Sequence, residues 1–276
     1  MARRGTGQKL WRWCVASAAF LFVYLFAVYL TLPDVRTLRT QNPATTAFIE
    51  LRQREARSDG KKPRRVQQWT GYSRISSTLT RAVLVAEDSA FYQHEGLDYE
   101  QIRESLEINL DRLEFTRGAS TITQQLAKNL YLSPSKDPVR KVRELFITRD
   151  LEAALTKRRI LELYLNVIEW GDGIYGIEAA ARTYFGVSAA SLSAEQSALL
   201  AGAIINPRVL TPARPTRRLL RRQRLILQRM GRVTPPRPVE SESVVEPSVP
   251  PLKTPDPPPI PEPIPFPPST STTSVP

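Results

Sequence analysis

A run of twenty uncharged and mostly apolar residues, from Trp13 to Leu32, sets the first limit on how this chain can fold. As an α-helix, the run spans about 30 Å, which is the thickness of the hydrocarbon core of a bilayer. Four basic residues precede it, and an excess of positive charge marks the cytoplasmic side of a membrane. We therefore predict a cytoplasmic basic N-terminus over residues 1–12 and a transmembrane anchor over residues 13–32.

A cleaved signal peptide and a buried core helix are the two other interpretations of this run. The sequence has no small-x-small cleavage pattern near the end of the run, and the run is longer than the apolar part of a signal peptide. A single-pass anchor in a bacterial inner (cytoplasmic) membrane is favoured. The rest of the chain would then be periplasmic or otherwise extracytoplasmic.

The chain is strongly basic, with 39 Lys and Arg against 27 Asp and Glu. This balance favours a polyanionic partner, which could be nucleic acid, an anionic membrane surface or a phosphorylated substrate. An anchor that holds the basic domain outside the cytoplasm argues against nucleic acid. A single cysteine, Cys14, excludes an internal disulfide, and a single histidine argues against a structural zinc site.

The chain divides into three parts after the anchor. Residues 33–75 are predicted to be a stalk and domain entry, with one short strand near 65–75. Residues 76–232 form the main domain, which is predicted to be mainly α because polar caps precede its apolar segments; these caps are Asp98, Asp137, Thr156 and Ser193. Residues 233–276 contain 16 prolines in 44 positions and predict a disordered tail, which either docks a partner or is only a solvated extension.

The segment EDSAFYQHEG, residues 87–96, is the first candidate for chemistry. Glu87 and Asp88 follow an apolar helix, where a carboxylate is partly desolvated and its pKa rises, so that it becomes a usable general base. Phe91 and Tyr92 would wall such a site, and His94 would shape the following turn. A helix end with solvated acids explains the same segment equally well.

The segment RGASTITQQLAKNLYL, residues 117–132, predicts an anion site. Its polar residues Ser120, Thr121, Gln124 and Gln125 lie in the first turn of a helix, where backbone N–H groups and the helix dipole favour anions. Lys128 follows on the same face. The pattern therefore predicts a phosphate or diphosphate cradle, and the alternative is a plain N-terminal cap.

Two further segments are less informative in isolation. In RKVRE, residues 140–144, Arg140 and Lys141 precede Glu144 at helical spacing, which alone favours a surface ion pair worth about 0.2–0.5 kcal/mol. The segment ILELYLNVIEWGDGIYG, residues 160–176, is predicted to pack as the floor of a site. Its apolar stripe includes Tyr164, and its glycines predict a tight loop.

Taken together, and in this order, the four segments resemble the family 51 glycosyltransferases, the peptidoglycan polymerases. The family patterns are ED-x-x-F-x-x-H-x-G, G-x-S-T-I-T-Q-Q, R-K-x-x-E and I-L-x-x-Y-L-N. The similarity covers about residues 75–215. The short domain behind one anchor and the segment NVIEWGDGIYGIEAAARTYF look like the monofunctional biosynthetic transglycosylases, and no S-x-x-K, S-x-N and K-T-G set of a transpeptidase appears. The resemblance implies a lysozyme-like, mainly α glycosyltransferase domain with a small jaw lobe.

The resemblance also implies a substrate and a mechanism. The substrate is lipid II, and Glu87 would deprotonate the 4-hydroxyl of the acceptor GlcNAc. That oxygen would attack C1 of the donor MurNAc, giving a β-1,4 linkage with inversion and releasing undecaprenyl pyrophosphate. Lys128, Arg140 and Lys141 would stabilise the leaving group, and Glu144 matches a second essential glutamate of the family.

The remaining expectations concern the cleft, cofactors and partners. By similarity, the cleft is shaped by Asp88, His94, Ser120, Thr121, Gln124 and Gln125. No tightly bound cofactor is expected, although the resemblance leaves a divalent cation such as Mg²⁺ open. The partners would be lipid II, the growing glycan strand, the membrane and, through the tail, proteins of cell-wall synthesis or division. The alternatives are a lysozyme-type enzyme that cleaves glycan and a non-enzymatic anchored scaffold.

Overall fold

The computed structural model describes residues 4–112, 120–132 and 137–231. Within these ranges the chain is mostly helical, which confirms the predicted mainly α class. Three short strands are β1 (Val66–Gln67), β2 (Glu169–Gly171) and β3 (Ile174–Tyr175). The α-helices are α1 (Arg4–Leu30), α2 (Ala47–Ser58), α3 (Ser77–Glu87), α4 (Tyr99–Arg112), α5 (Ile122–Tyr131), α6 (Pro138–Ala154), α7 (Lys157–Val167), α8 (Ile177–Phe185), α9 (Ala194–Ala203) and α10 (Arg217–Met230).

The four predicted caps are all present at helix N-termini. In each case the side chain accepts a hydrogen bond from a backbone N–H group two or three residues later; the caps are Asp98, Asp137, Thr156 and Ser193. Ser193 also forms a reciprocal capping box with Gln196. Each cap satisfies a backbone donor that the helix leaves free, which fixes where the helix begins.

Helix α5 lies at the centre of the domain and packs against α6 and α7, while α3 packs against α9 and α10. Leu126 and Ala127 of α5 and Leu79 of α3 are completely buried in one hydrophobic core. This core also holds Phe91 and Trp170, two of the largest buried side chains. The C-terminus of α3 and the N-terminal half of α5 are therefore rigidly supported.

The three strands form one small sheet in the order β1–β3–β2. β1 runs parallel to β3, and β2 and β3 form an antiparallel hairpin. Asn166, near the end of α7, fastens the segment that follows β1, because its amide accepts from Thr70 N at 2.9 Å and donates to Thr70 O at 2.8 Å. The predicted short strand near 65–75 corresponds to β1. The glycine-rich segment, predicted only as a tight loop, is the β2–β3 hairpin.

The segment predicted as a stalk contributes to the folded domain. Val35 and Leu38 are buried in the hydrophobic core, and Ile49 of α2 is completely buried. Arg52 of α2 donates from Nε to Oε2 of the buried Glu169 at 3.2 Å. The domain boundary at residue 75 stays a prediction, but side chains before and after it share one core.

Residues Trp11–Leu30 of α1 are long and apolar enough to cross a membrane, and their side chains are mostly exposed. The end of this helix meets α6. Tyr29 packs edge-to-face on Phe146 with ring centroids 6.0 Å apart, and the Arg143 guanidinium donates to the Thr31 hydroxyl. The predicted tail, residues 233–276, lies outside the described residues.

Candidate active site

Glu87 is the last residue of α3, where an apolar helix ends beside the first turns of α5. Its Oε2 accepts a hydrogen bond from Gln125 Nε2 at 3.0 Å. Burial raises the pKa of Glu87 above its usual value, while the Gln125 hydrogen bond and the positive charges of Arg222 and Lys128 lower this pKa by smaller amounts. A carboxylate in such surroundings is a stronger proton acceptor than a solvated one.

Asp88 and His94 form a buried pair that shapes the loop after Glu87. Asp88 is 2% exposed, and its carboxylate accepts from Ile122 N at 2.9 Å and contacts His94 Nε2 at 2.9 Å. His94 Nδ1 accepts from Gly96 N at 3.1 Å, which assigns the ring proton to Nε2. Both ring nitrogens are therefore engaged within the loop, and the side chain holds the shape of the loop.

The loop is pressed closely against α6 at Gly96. This glycine has a φ of +86°, and a Cβ atom there would lie 2.7 Å from Thr148 Cγ2 and 3.0 Å from Glu152 Cγ. Its carbonyl oxygen accepts from Thr121 Oγ1 at 2.7 Å. The backbone at this position therefore joins the loop to both α5 and α6.

The polar first turn of α5 divides its side chains between two tasks. Thr121 and Gln124 are buried and form a reciprocal capping box, so their side chains serve the helix terminus, as the plain-cap alternative states. Ser120 is exposed. Gln125 points to the acid instead, and its Nε2 also lies 3.4 Å from Ser120 O. Of the two consecutive glutamines, only Gln125 contacts Glu87.

Glu144 is buried, at 3% exposed, and lies at the centre of a group of cations on α6. Its Oε2 accepts from Arg140 Nη1 at 3.0 Å, and its Oε1 accepts from the Lys141 ammonium group. The interpretation of these residues as a surface ion pair is therefore wrong. The helical spacing of Arg140, Lys141 and Glu144 did predict that they pair. Their local sequence does not show that α5 packs on α6, and the burial of Glu144 depends on that packing.

Lys128 lies on α5 and faces this group on α6. Burial lowers the pKa of Lys128, the charge of Glu144 raises it, and the charges of Arg140 and Lys141 lower it further. The Nε atom of Arg140 is buried without a hydrogen-bond partner among the described residues. Three cations with one carboxylate among them leave net positive charge, which suits an anionic ligand.

The matched sequence pattern decides the family. Residues 55–231 match the transglycosylase family. This chain belongs to that family. It is 49% identical over 192 residues to a biosynthetic peptidoglycan transglycosylase of Nitrosomonas eutropha, covering 70% of this chain and 79% of that protein.

Two other relatives with the same description cover more of the chain. The one from Nitrosospira multiformis is 43% identical over 226 residues, covering 82% of this transglycosylase and 97% of the relative. The one from Laribacter hongkongensis is 44% identical over 226 residues, covering 82% and 99%. The predicted family and the predicted peptidoglycan glycosyltransferase activity are confirmed.

A group of contacts behind the loop that follows α3 was not predicted from the sequence of the transglycosylase, and we call this group the brace. Lys157 Nζ donates to His94 O at 2.6 Å and to Glu152 Oε1 at 2.8 Å, and it lies 4.6 Å from the centre of the Phe91 ring. Thr123 Oγ1 donates to the same Glu152 oxygen at 2.6 Å. The brace joins α5, α6 and α7 to the loop, and its members are too far apart in sequence to form a visible pattern.

Two other residues near Glu87 were also missed. Arg222 on α10 donates from Nε to Gly202 O at 3.0 Å, and its charge acts on Glu87. Tyr164 on α7, interpreted as packing, donates its hydroxyl proton to Gln125 Oε1 at 2.8 Å. The sequence offers no means of choosing Arg222 from among the nine arginines between residues 208 and 232, whereas Tyr164 lies in the I-L-x-x-Y-L-N pattern.

One group among the described residues has the composition of a metal site. The ligand atoms of Asp88, His94 and Asp98 lie within 4.8 Å of one another. However, Asp88 and His94 bind each other, and Asp98 caps α4 through Gln101 N. A metal ion would have to displace these hydrogen bonds, so the group does not fit a resident ion.

A cavity of about 790 Å³ opens between the loop after α3, the start of α4 and α6. Its lining combines apolar and charged side chains, including Leu97, Tyr99, Phe146 and Arg149. His94 lines this cavity and contacts the buried Asp88. The cavity therefore lies beside the Glu87 site, on the side of α6 where the end of α1 contacts Phe146.

Proposed function

We propose that this transglycosylase polymerises lipid II into β-1,4-linked glycan strands, with Glu87 as the general base. The observation that carries the proposal is the placement of Glu87, a desolvated carboxylate with a raised pKa and a hydrogen bond from Gln125. In this proposal Glu87 takes the proton of the acceptor 4-hydroxyl. The oxygen forms a bond to C1 of the donor sugar with inversion, while the C1–O bond to the lipid diphosphate breaks.

The leaving diphosphate carries the electron pair of the broken bond, so cations stabilise it and no general acid is required. In the proposal Lys128, Arg140 and Lys141 provide this stabilisation. Glu144 holds Arg140 and Lys141 through two hydrogen bonds, which supports a role in orienting them. A divalent cation such as Mg²⁺ remains a separate proposal, and a chelator added to the purified enzyme tests it.

The proposed setting is the outer face of a bacterial inner membrane, with α1 as the anchor. The contacts from Tyr29 to Phe146 and from Arg143 to Thr31 support this setting, because they place the first half of α6 next to the end of the apolar helix. A lipid diphosphate would lie at that level of the bilayer. Docking of cell-wall synthesis or division proteins to residues 233–276 is also proposed, and truncation after Gly231 tests it.

The deciding experiment is a lipid II polymerisation assay on the full chain. We expect Glu87→Gln to lower the rate by about 10²–10⁴-fold, which is the usual contribution of a general base. The matched control is Glu50→Gln, because Glu50 is exposed on α2, and it should retain the wild-type rate. Wild-type polymerisation by a folded Glu87→Gln protein would overturn the mechanism, and soluble fragments released from finished glycan would favour a hydrolase.

A further inference from the structure

Tyr164 is a completely buried residue whose hydroxyl group makes one hydrogen bond within the described part of the chain. It lies in the middle of α7, and its hydroxyl donates to Gln125 Oε1 at 2.8 Å. Burial and the nearby negative charges of Glu87 and Asp88 hold the pKa of Tyr164 well above its usual value, so the phenol keeps its proton. Tyr164 is therefore a permanent donor at this position.

The side-chain amide of Gln125 has an oxygen that accepts hydrogen bonds and a nitrogen that donates them, and the two atoms contact different partners in the site. The oxygen end accepts from Tyr164, while the nitrogen end donates to Glu87 Oε2 at 3.0 Å and approaches Ser120 O at 3.4 Å. If the amide turned over, its oxygen would face the carboxylate of Glu87. Two acceptors would then meet without a proton between them, unless Glu87 itself were protonated.

We propose that Tyr164 is a positioning residue for glycosyl transfer, whose phenol proton holds the Gln125 amide in the orientation that donates to Glu87. The inference rests on the proposed role of Glu87 as the general base. A hydrogen bond donated by Gln125 favours the ionised form of the base, which is the form that accepts the proton. Tyr164 touches neither the acid nor, in this proposal, the reacting atoms.

The proposal predicts a specific change in pH dependence. In Tyr164→Phe the side-chain amide of Gln125 is free to turn over. The turned amide presents its oxygen to Glu87, and this orientation stabilises the protonated form of Glu87. The pKa of the base therefore rises, and the acidic limb of the kcat/KM profile for lipid II moves to higher pH. We expect the limb to move by roughly one pH unit, the size of one hydrogen bond to a charged group, so that activity falls by up to about 10-fold on the limb and recovers as the pH is raised.

Tyr175→Phe is a matched control for loss of a buried hydroxyl. Tyr175 is 1% exposed, and its hydroxyl has no hydrogen-bond partner among the described residues. Removing its oxygen should leave the acidic limb where it is in the wild type. The thermal unfolding of both variants, followed by circular dichroism, separates a loss of folding from a change in the base.

A double mutant distinguishes positioning from simple packing. In the Gln125→Ala background, Tyr164→Phe should cause no further shift of the acidic limb, because the amide that it orients is gone. A limb that stays at the wild-type pH in Tyr164→Phe, or that shifts equally in both backgrounds, overturns the proposal. If Tyr164→Phe does not fold, Gln125→Ala tests the amide that Tyr164 is proposed to orient, and an unmoved limb in that variant overturns the proposal.

The base assignment is tested separately with Glu87→Gln. If Glu87→Gln remains fully active at every pH, the proposed function fails, and this inference fails with it. If Glu87→Gln is inactive while Tyr164→Phe keeps the wild-type profile, only the positioning role of Tyr164 is wrong.

Discussion

The ionised carboxylate of Glu87, the proposed general base, lowers the stability of the folded chain. Burial raises its pKa in the folded chain, so the folded state retains a proton that the unfolded state has already released. The free energy of unfolding therefore falls as the pH rises from the pKa of Glu87 in the unfolded chain to its higher pKa in the folded chain. The loss is complete above the folded pKa. The site keeps a stronger base at a cost in folding free energy.

This cost can be measured with Glu87→Gln, which removes the charge and keeps the shape. We expect a higher melting temperature than the wild type at pH 7, by about 2–4 °C for each ~1 kcal/mol relieved. The difference should vanish in acid, below the unfolded pKa, where the wild-type carboxyl is also neutral in both states. An equal or lower melting temperature at pH 7 would contradict the desolvation of Glu87.

Lys128 is a partly buried lysine that, in the proposed mechanism, faces the leaving diphosphate. Replacing a preorganised charge that faces a developing anion costs about 3 kcal/mol of barrier, so Lys128→Met should lower the turnover of lipid II by roughly 10²–10³-fold. Its melting temperature should not fall, because burial already lowers the pKa of this ammonium group. The control is Lys61→Met at an exposed lysine, and a similar loss of turnover there would refute the assignment.

At the scale of elements, the contact between the loop that follows α3 and helix α6 depends on one position without a side chain, Gly96. Gly96→Ala places a Cβ against Thr148 and Glu152, and it also forces an alanine into a left-handed backbone conformation. We expect a loss of about 2–6 kcal/mol, the sum of the conformational and overpacking costs. Thermal or urea unfolding measures it.

Gly186→Ala is the control for this substitution. Gly186 also has a positive φ, of +70°, but a Cβ there would meet nothing within 4 Å. It should lose only the conformational part, about 1–3 kcal/mol. Equal losses at the two glycines would show that the loop is not pressed against α6.

The elements also show which parts of the structure could be predicted from sequence. The caps at Asp137 and Thr156 were predictable because each acts on a backbone group two or three residues away. The β2–β3 hairpin was missed because its strands are two or three residues long and buried on all sides, which leaves no alternation to detect. Local chemistry identified the capped helices of the main domain, but it missed α2 in the segment predicted as a stalk.

The same division applies to the site. Glu87 was predicted to be desolvated because an apolar helix precedes it, and its pKa is indeed raised by burial. The spacing around Glu144 alone favoured a surface ion pair, although Glu144 is buried, and only the resemblance assigned Glu144 to the site. Tyr164 was assigned to packing because an apolar stripe does not show where a hydroxyl group points. For Glu144 and Tyr164, the deciding contacts join segments that are distant in sequence, and the local sequence does not reveal such contacts.

At the scale of the whole molecule, the residues before α3 are part of the folded domain. A chain that begins at residue 76 would lose the buried Ile49 and the strand β1, and it would leave Glu169 without Arg52. We expect such a chain to be unfolded, because an unpaired buried carboxylate alone costs about 3–5 kcal/mol. A chain that begins at residue 33 keeps these contacts and should show a cooperative thermal transition. Cooperative unfolding of the shorter chain would contradict this expectation.

The contact between the end of α1 and α6 has a kinetic consequence in the proposed membrane arrangement. A tether this short confines the enzyme and its lipid-linked reactants to a single plane, where they meet by lateral diffusion. The encounter rate then depends on the number of substrate molecules per unit area of bilayer. Adding inert phospholipid to the same vesicles should therefore slow the reaction by surface dilution, although the amounts of enzyme and substrate in the tube stay the same.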